Sequence, residues 1–122
     1  MIALALLAAA TLGLGELPPQ PMPPGKCLTF LWSKTEPPLR FAMIDEAGGF
    51  VRVVLNGRPL DAPRTAPGTY ALPDGTTLYV DIILVTRAGL VDGNIVESGS
   101  VRLEAPGKDA TIVPVGGIRG CS

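Results

Sequence analysis

Histidine is absent from this chain of 122 residues. The protein therefore lacks the side chain that most often acts as a general base near neutral pH and as a transition-metal ligand. Sites of the Ser-His-Asp or Cys-His kind are excluded. The carboxylates form no recognised pattern either: Asp92-Gly93-Asn94 lacks the other ligands of a calcium loop, and Asp45-Glu46 are expected to be solvated turn residues. We predict no catalytic site, no metal and no cofactor.

A surplus of charge of either sign is also lacking. Ten Lys and Arg residues stand against eleven Asp and Glu residues, so the formal net charge is −1. The arginines are scattered singly and form no basic stripe with interleaved aromatic residues. Binding to nucleic acid or to an anionic membrane surface depends on such a concentration of positive charge. We therefore predict no nucleic-acid partner.

Cysteine occurs only twice, as Cys27 and Cys121. Two thiols in an exported chain usually pair, and these two lie at opposite ends of the region that we expect to fold. We predict a disulfide between them. The alternatives are two buried thiols in a cytosolic protein and a reactive thiol, which would have only Lys26 and Arg119 nearby in sequence to lower its pKa.

The amino end carries the one long apolar run, over 2–12, before the polarity changes at Glu16. This run is shorter than the roughly 20 residues that cross a membrane as a helix, and it fits the apolar part of a signal peptide. We predict a signal peptide over 1–15, cleaved after Ala10 or Gly15, with no membrane span remaining. The mature protein would then be periplasmic or extracellular. No Lys or Arg precedes the run, so an uncleaved anchor and a buried helix are the alternatives.

Proline is concentrated directly after this run, in the sequence Leu-Pro-Pro-Gln-Pro-Met-Pro-Pro-Gly over 17–25. Such a segment neither forms a helix nor donates ladder hydrogen bonds. We predict an extended spacer over 16–26, whose nine central residues reach roughly 28 Å at about 3.1 Å per residue. A proline-rich ligand for a partner is the alternative.

The remaining chain, 27–122, alternates short apolar runs with turns. Gly and Pro number 15 and 13 in the whole chain, Asn56-Gly57 is a strong hairpin signal, and 76–87 is the longest run of β-branched and aromatic residues. This pattern is typical of an all-β domain. We predict a single small antiparallel β-sandwich or barrel of seven to nine short strands after the N-terminal signal segment.

Two groups of residues are candidate binding sites. The strand over 76–87 has a second face, formed by Tyr79, Ile83 and Val85, that is too apolar for an ordinary solvated face. If it is not covered within the monomer, we expect it to be an interaction surface. Asp81, on the same face, is expected to pair with an arginine of a neighbouring strand, Arg52 or Arg102.

The second candidate is a recognition loop that contains Trp32, Lys34 and Glu36 and is stiffened by two following prolines. Because Trp32 alternates with Leu28 and Phe30, packing in the core is the preferred interpretation for its ring.

These observations predict an exported, non-catalytic β domain that binds or scaffolds another protein of the cell envelope or associates with itself. One alternative is an inhibitor or chaperone-like module that acts on an exported enzyme. The other is an enzyme that uses carboxylates.

Overall fold

The protein is described by a computed structural model over residues 14–87, 89 and 93–122. Most of the predicted signal peptide lies outside these residues. The strands, in chain order, are β1 (Leu14–Gly15), β2 (Cys27–Ser33), β3 (Arg40–Asp45), β4 (Phe50–Leu55), β5 (Arg58–Ala66), β6 (Thr69–Ala71), β7 (Thr77–Val85), β8 (Gly93–Glu104) and β9 (Thr111–Cys121). The described part of the chain contains no helix that is long and apolar enough to cross a membrane.

Eight of these strands form a closed antiparallel barrel. The order around it is β4-β3-β2-β9-β8-β7-β6-β5, and β5 pairs back with β4. The all-β prediction is confirmed, and the architecture is a barrel. Closure removes the free sheet edges that an open sandwich would expose.

Strand β5 is nine residues long and contains two prolines. Its first part, from Arg58 to Pro63, pairs with β4, and only Arg64 and Ala66 pair with β6. Pro59 and Pro63 are tolerated because each lies where the strand has a partner on one side only. The barrel therefore closes through a short ladder of hydrogen bonds between β5 and β6.

The interior is filled by alternate side chains of the strands, as the pleat requires. Val51, Val53 and Leu55 of β4 point inward, and Leu78 of β7 is fully buried. The core is completed by leucine, valine, isoleucine, alanine and aromatic side chains of the other strands, among them Leu31, Phe41, Ala42, Ile44, Tyr70, Val101, Leu103, Val113 and Val115.

A second, smaller apolar cluster lies on the outside of the barrel. It consists of Leu17, Leu28 and Met43, all buried, with Phe30, Phe50 and Val54 packed against them. Leu28 and Met43 point outward from β2 and β3, and Leu17 of the N-terminal segment covers them. The sequence predicts a spacer over 16–26, whereas in the structure the start of this segment is docked on the barrel and Leu17 is 0% exposed. The docking is driven by burial of leucine against an apolar outer face.

The predicted disulfide between Cys27 and Cys121 is confirmed. The two residues are direct partners at one end of the β2–β9 ladder. Next to them, the N–H of Gly25 donates to the carbonyl oxygen of Ser122 over 2.9 Å. The bond therefore joins the first long strand to the last at the point where both would otherwise fray.

Asp45 is not the solvated turn residue that the sequence indicates. Its side chain is buried and accepts a hydrogen bond from Lys26 Nζ at 2.8 Å and one from the backbone N–H of Gly48, also at 2.8 Å. These donors lower the pKa of the Asp45 carboxyl below its usual value, with the Lys26 bond as the largest cause. The side chain thus holds the β3–β4 turn closed and neutralises Lys26.

Asp45 should make the protein sensitive to acid. A carboxyl whose pKa is lower in the folded than in the unfolded chain, where it is about 3.9, stabilises the fold above that value. The stabilisation is lost as the pH falls through the lower, folded-state pKa. Urea unfolding at several pH values should show that Asp45→Asn is less stable than the natural protein at pH 7, and that the difference shrinks below about pH 4. Asp109→Asn, at an exposed position, is the control, and an equal pH dependence in both variants would contradict this role.

Candidate functional site

The outward face of the barrel carries an apolar row that crosses four strands. Val85 of β7 pairs with Ile95 of β8, Ile95 pairs with Ile118 of β9, and Ile118 pairs with Phe30 of β2. Directly paired residues of antiparallel strands have their side chains on the same face, with Cβ atoms about 4.5 to 5.5 Å apart. The four side chains therefore form one continuous strip, here called the apolar row.

The apolar row is only partly covered. Ile118 is 50% exposed, and Val85, Ile95 and Phe30 are half-buried. Ile83 lies two residues before Val85 on the same face of β7 and is 59% exposed. Exposed apolar side chains that are connected through half-buried ones in this way are typical of contact surfaces.

Tyr79 is separated from the other two residues of the predicted surface. Asp81 lies between Tyr79 and Ile83 on the outward face, and its cross-strand partner is Ser100. The prediction of an arginine partner for Asp81 is wrong, since Arg102 contacts Glu104 at 3.3 Å instead, and Arg52 binds Asp61. The Arg102 guanidinium also lies 4.4 Å from the centroid of the Tyr79 ring. Ile83 and Val85 thus belong with the apolar row, whereas the Tyr79 ring is covered by a cation.

Trp32 lies on the same outer side of the barrel as the apolar row and is half-buried. Its ring centroid is 6.4 Å from that of Phe30, with the rings tilted by 52°. The Arg40 guanidinium lies 5.9 Å from the Trp32 centroid on the β3 side. The preferred interpretation of a core tryptophan is therefore wrong, because the outward face of β2 is covered beside Leu28 but not beside Trp32.

An open groove of about 410 Å³ adjoins Trp32, and we call it the Trp32 groove. Gly116 pairs with Trp32. Because it has no side chain, the outer surface has a depression beside the Trp32 ring. Ile118 of the apolar row lines the groove as well. The Lys34 ammonium group donates to the carbonyl oxygen of Glu97 over 3.3 Å. The groove and the apolar row therefore form one surface.

Gly117 also lines the groove, and its lack of a side chain is needed for the close approach of β9 to β2. A methyl group at this position would overlap the carbonyl oxygen of Phe30 on β2. The glycine therefore allows β9 to approach β2 closely. Arg119, two residues further along β9, donates to both carboxylate oxygens of Glu46, at 2.7 and 3.1 Å.

The recognition loop predicted around Trp32, Lys34 and Glu36 is held at its base. The Ser33 N–H donates to the carbonyl oxygen of Leu39 over 2.9 Å, and the Leu39 N–H donates to Ser33 Oγ over 3.0 Å. Within the loop, Thr35 Oγ1 donates to the carbonyl oxygen of Pro37 over 2.9 Å. Glu36 is exposed at its outer end. The loop is thus pre-formed and forms one wall of the Trp32 groove.

The two binding sites predicted from the sequence are therefore adjacent parts of one surface. Ile95 and Ile118, which link them, are missing from the sequence prediction. The alternation of Gly116, Ile118 and Gly120 along β9 contains a signal for Ile118, since it places one large apolar side chain between two glycines on the same face. Its neighbours across the ladder cannot be read from β9 alone.

Several charged side chains of the described residues are paired with one another. Lys26 binds Asp45, Arg52 binds Asp61 and Arg119 binds Glu46. Over 14–87, 89 and 93–122, no group of three or more histidine, cysteine or acidic side chains is placed to hold a metal ion. The surface described above is thus suited to contact through apolar and aromatic side chains.

Comparison with known proteins gives no match: no family model, no curated protein and no solved structure is similar to this chain.

Proposed function

We propose that this protein is a small exported β-barrel domain without catalytic activity, which binds or scaffolds another protein of the cell envelope. The observation that carries the proposal is the apolar row with the adjoining Trp32 groove. The chain covers its own outer apolar surface on β2, β3 and β4 with Leu17. It leaves the continuation of that surface, over β2, β9, β8 and β7, in contact with solvent.

The energetics favour a partner on this surface. Covering the exposed half of an isoleucine side chain removes about 80 Å² from water, worth roughly 2 kcal/mol at 25 cal/mol/Å². Ile83 and Ile118 together would contribute about 4 kcal/mol, before the cost of association. Binding surfaces have an apolar centre enriched in aromatic residues and a polar rim. Trp32 and Phe30 supply aromatic groups here, and Lys34 and Glu36 lie at the edge.

Export is supported by the disulfide, since such bonds persist mainly in oxidising compartments. Of the two cleavage sites expected from the sequence, the one after Ala10 fits the fold better. Cleavage after Gly15 would remove β1 and expose the part of the core that Leu14 covers, because Leu14 is 4% exposed. We therefore propose that the mature chain begins before Leu14.

Charged substitutions in the apolar row and at the adjacent Ile83 should weaken binding of the partner without affecting folding. Ile118→Lys and Ile83→Lys place a charge at positions already half or more exposed, so each variant should keep the Tm of the natural protein within a few degrees. Each should lose at least tenfold in recovery of the partner when tagged protein is captured from the native envelope fraction, because a buried lysine without a counter-charge opposes binding.

Thr65→Lys, at an exposed position on β5, is the matched control and should recover the partner normally. If all three variants recover the same proteins in equal amounts, the proposal is wrong. If the captured partner is an enzyme and the natural protein lowers its activity, the inhibitor alternative replaces scaffolding. The intact mass of the recovered protein reports the cleavage site in the same experiment.

A further inference from the structure

The barrel wall contains a seam between β3 and β4 that these strands do not close themselves. They pair at three positions only, Met43 with Arg52, Ile44 with Val51 and Asp45 with Phe50. Beyond them the remaining residues of β4 have another partner on the same edge: Leu55 pairs with Leu14 and Val54 with Gly15. The N-terminal segment therefore lies between β3 and β4 where they diverge.

The segment 14–17 is bound in this seam by groups on both sides. On the β3 side, the Leu17 N–H donates to the carbonyl oxygen of Arg40 over 2.8 Å, and Arg40 Nε donates back to the carbonyl oxygen of Leu17 over 3.1 Å. Leu14 belongs to the inner core, and Leu17 to the outer cluster with Leu28 and Met43. The seam thus offers backbone pairing and two leucine sites, one on each side of the wall. This is the recognition mode of strand addition.

The connection between this segment and the barrel is loose by comparison. From Pro18 to Gly25 every residue except Gln20 is exposed. Gln20 accepts one hydrogen bond from Arg52, at 2.9 Å. Prolines cannot donate ladder bonds, so this stretch cannot become part of the sheet. Ser122 holds the far end of this stretch, since its Oγ donates to the carbonyl oxygen of Pro23 over 2.6 Å and its carbonyl oxygen accepts from the Gly25 N–H over 2.9 Å. The tether is therefore the five residues from Pro18 to Met22, which at about 3.1 Å per residue span roughly 16 Å.

We propose that the seam is a strand-binding site and that it accepts segment 14–17 from a second copy of this chain, in place of its own. The contacts of an exchanged strand are identical to those of the strand bound in its own barrel. The two forms therefore differ only by the strain of the tether and the entropy of association. The exchanged dimer should accordingly form at high protein concentration and be favoured by refolding, because β1 consists of only two residues and opens more easily than the body of the barrel. The seam lies on β3 and β4, so this inference does not depend on the apolar row.

A cross-link between two different single variants tests the exchange directly. A Cβ at position 15 would lie 3.9 Å from the Cβ of Val54, within the 3.5 to 4.5 Å that is usual for a disulfide. Isotope-labelled Gly15→Cys is mixed with unlabelled Val54→Cys, refolded together at high concentration with the native disulfide intact, and oxidised with glutathione. A bond between positions 15 and 54 then requires the strand of one chain in the seam of another.

We expect this mixed cross-link to exceed by at least tenfold that of a matched mixture of Gly15→Cys with Ile83→Cys, whose partner position is exposed but outside the seam. Peptide mapping by mass spectrometry identifies the bond. A yield equal to that of the control overturns the proposal. As a second measurement, the unmodified protein refolded at about millimolar concentration should give a dimer by size exclusion that persists on dilution. A monomer at every concentration also overturns it.

Discussion

Replacing Cys27 and Cys121 together by alanine is expected to lower the free energy of unfolding by about 4 to 5 kcal/mol. The bond joins residues 94 positions apart, and in the chain-entropy model a loop of this length constrains the unfolded chain by that amount. Since small domains are stable by only about 5 to 15 kcal/mol, the variant should be close to unfolded at 37 °C. Thermal unfolding by circular dichroism should show a Tm lower by roughly 20 °C.

Chemical reduction of the natural protein tests the stabilisation by the disulfide without changing the sequence. The reduced natural protein and the double alanine variant should unfold at nearly the same urea concentration, because both lack the cross-link and keep the same strands. An oxidised protein and a double variant with equal Tm values would contradict the prediction. In that case the β2–β9 ladder would hold the two ends of the chain together without the bond.

Leu17→Ala is the second change with a large expected effect. The side chain is fully buried between the N-terminal segment and the outward faces of Leu28 and Met43. Truncation of a buried leucine removes its transfer free energy and leaves a cavity, at a cost of about 2 to 5 kcal/mol. We expect a loss of about 3 kcal/mol in the free energy of unfolding, measured by urea denaturation, because Leu17 also holds β1 in the seam.

Met22→Ala is the matched control in the same segment, since Met22 is 38% exposed. Its effect should stay within about 0.5 kcal/mol of the natural protein. Equal and small effects of both substitutions would mean that the segment is the free spacer that the sequence predicts. A large effect of Leu17→Ala alone would establish that the packed part of the chain begins before Cys27.

The features that followed from the sequence are those that depend on neighbours along the chain. Turn residues such as Asn56-Gly57 and the alternation of apolar residues place most of the strands, and β7 runs from Thr77 to Val85 close to its predicted bounds. The two cysteines were paired from their number and the expected compartment.

The candidate surface could be predicted only in parts. Ile83 and Val85 stand out because a polar residue is expected at each position, and Trp32 stands out because it adjoins a polar loop stiffened by prolines. Their union into one surface depends on the register of β7, β8, β9 and β2, since a shift by one residue would turn Ile95 or Ile118 inward. The predicted pairing of Asp81 with an arginine failed for the same reason, because register places Ser100 opposite it.

The sequence by itself determined an all-β chain with its turns and most of its strands, because short-range sterics and side-chain alternation are properties of adjacent residues. It determined the disulfide as well, because the chain has only two cysteines. Only the tertiary structure decided that the sheet closes into a barrel, since closure depends on the stagger and tilt of strands far apart in sequence. It also decided the burial of Leu17 and Asp45. Leu17 is followed by a proline-rich segment and Asp45 by a glycine-rich turn, so neither appears buried from its neighbours along the chain. Folding brings a partner to each, Met43 to Leu17 and Lys26 to Asp45.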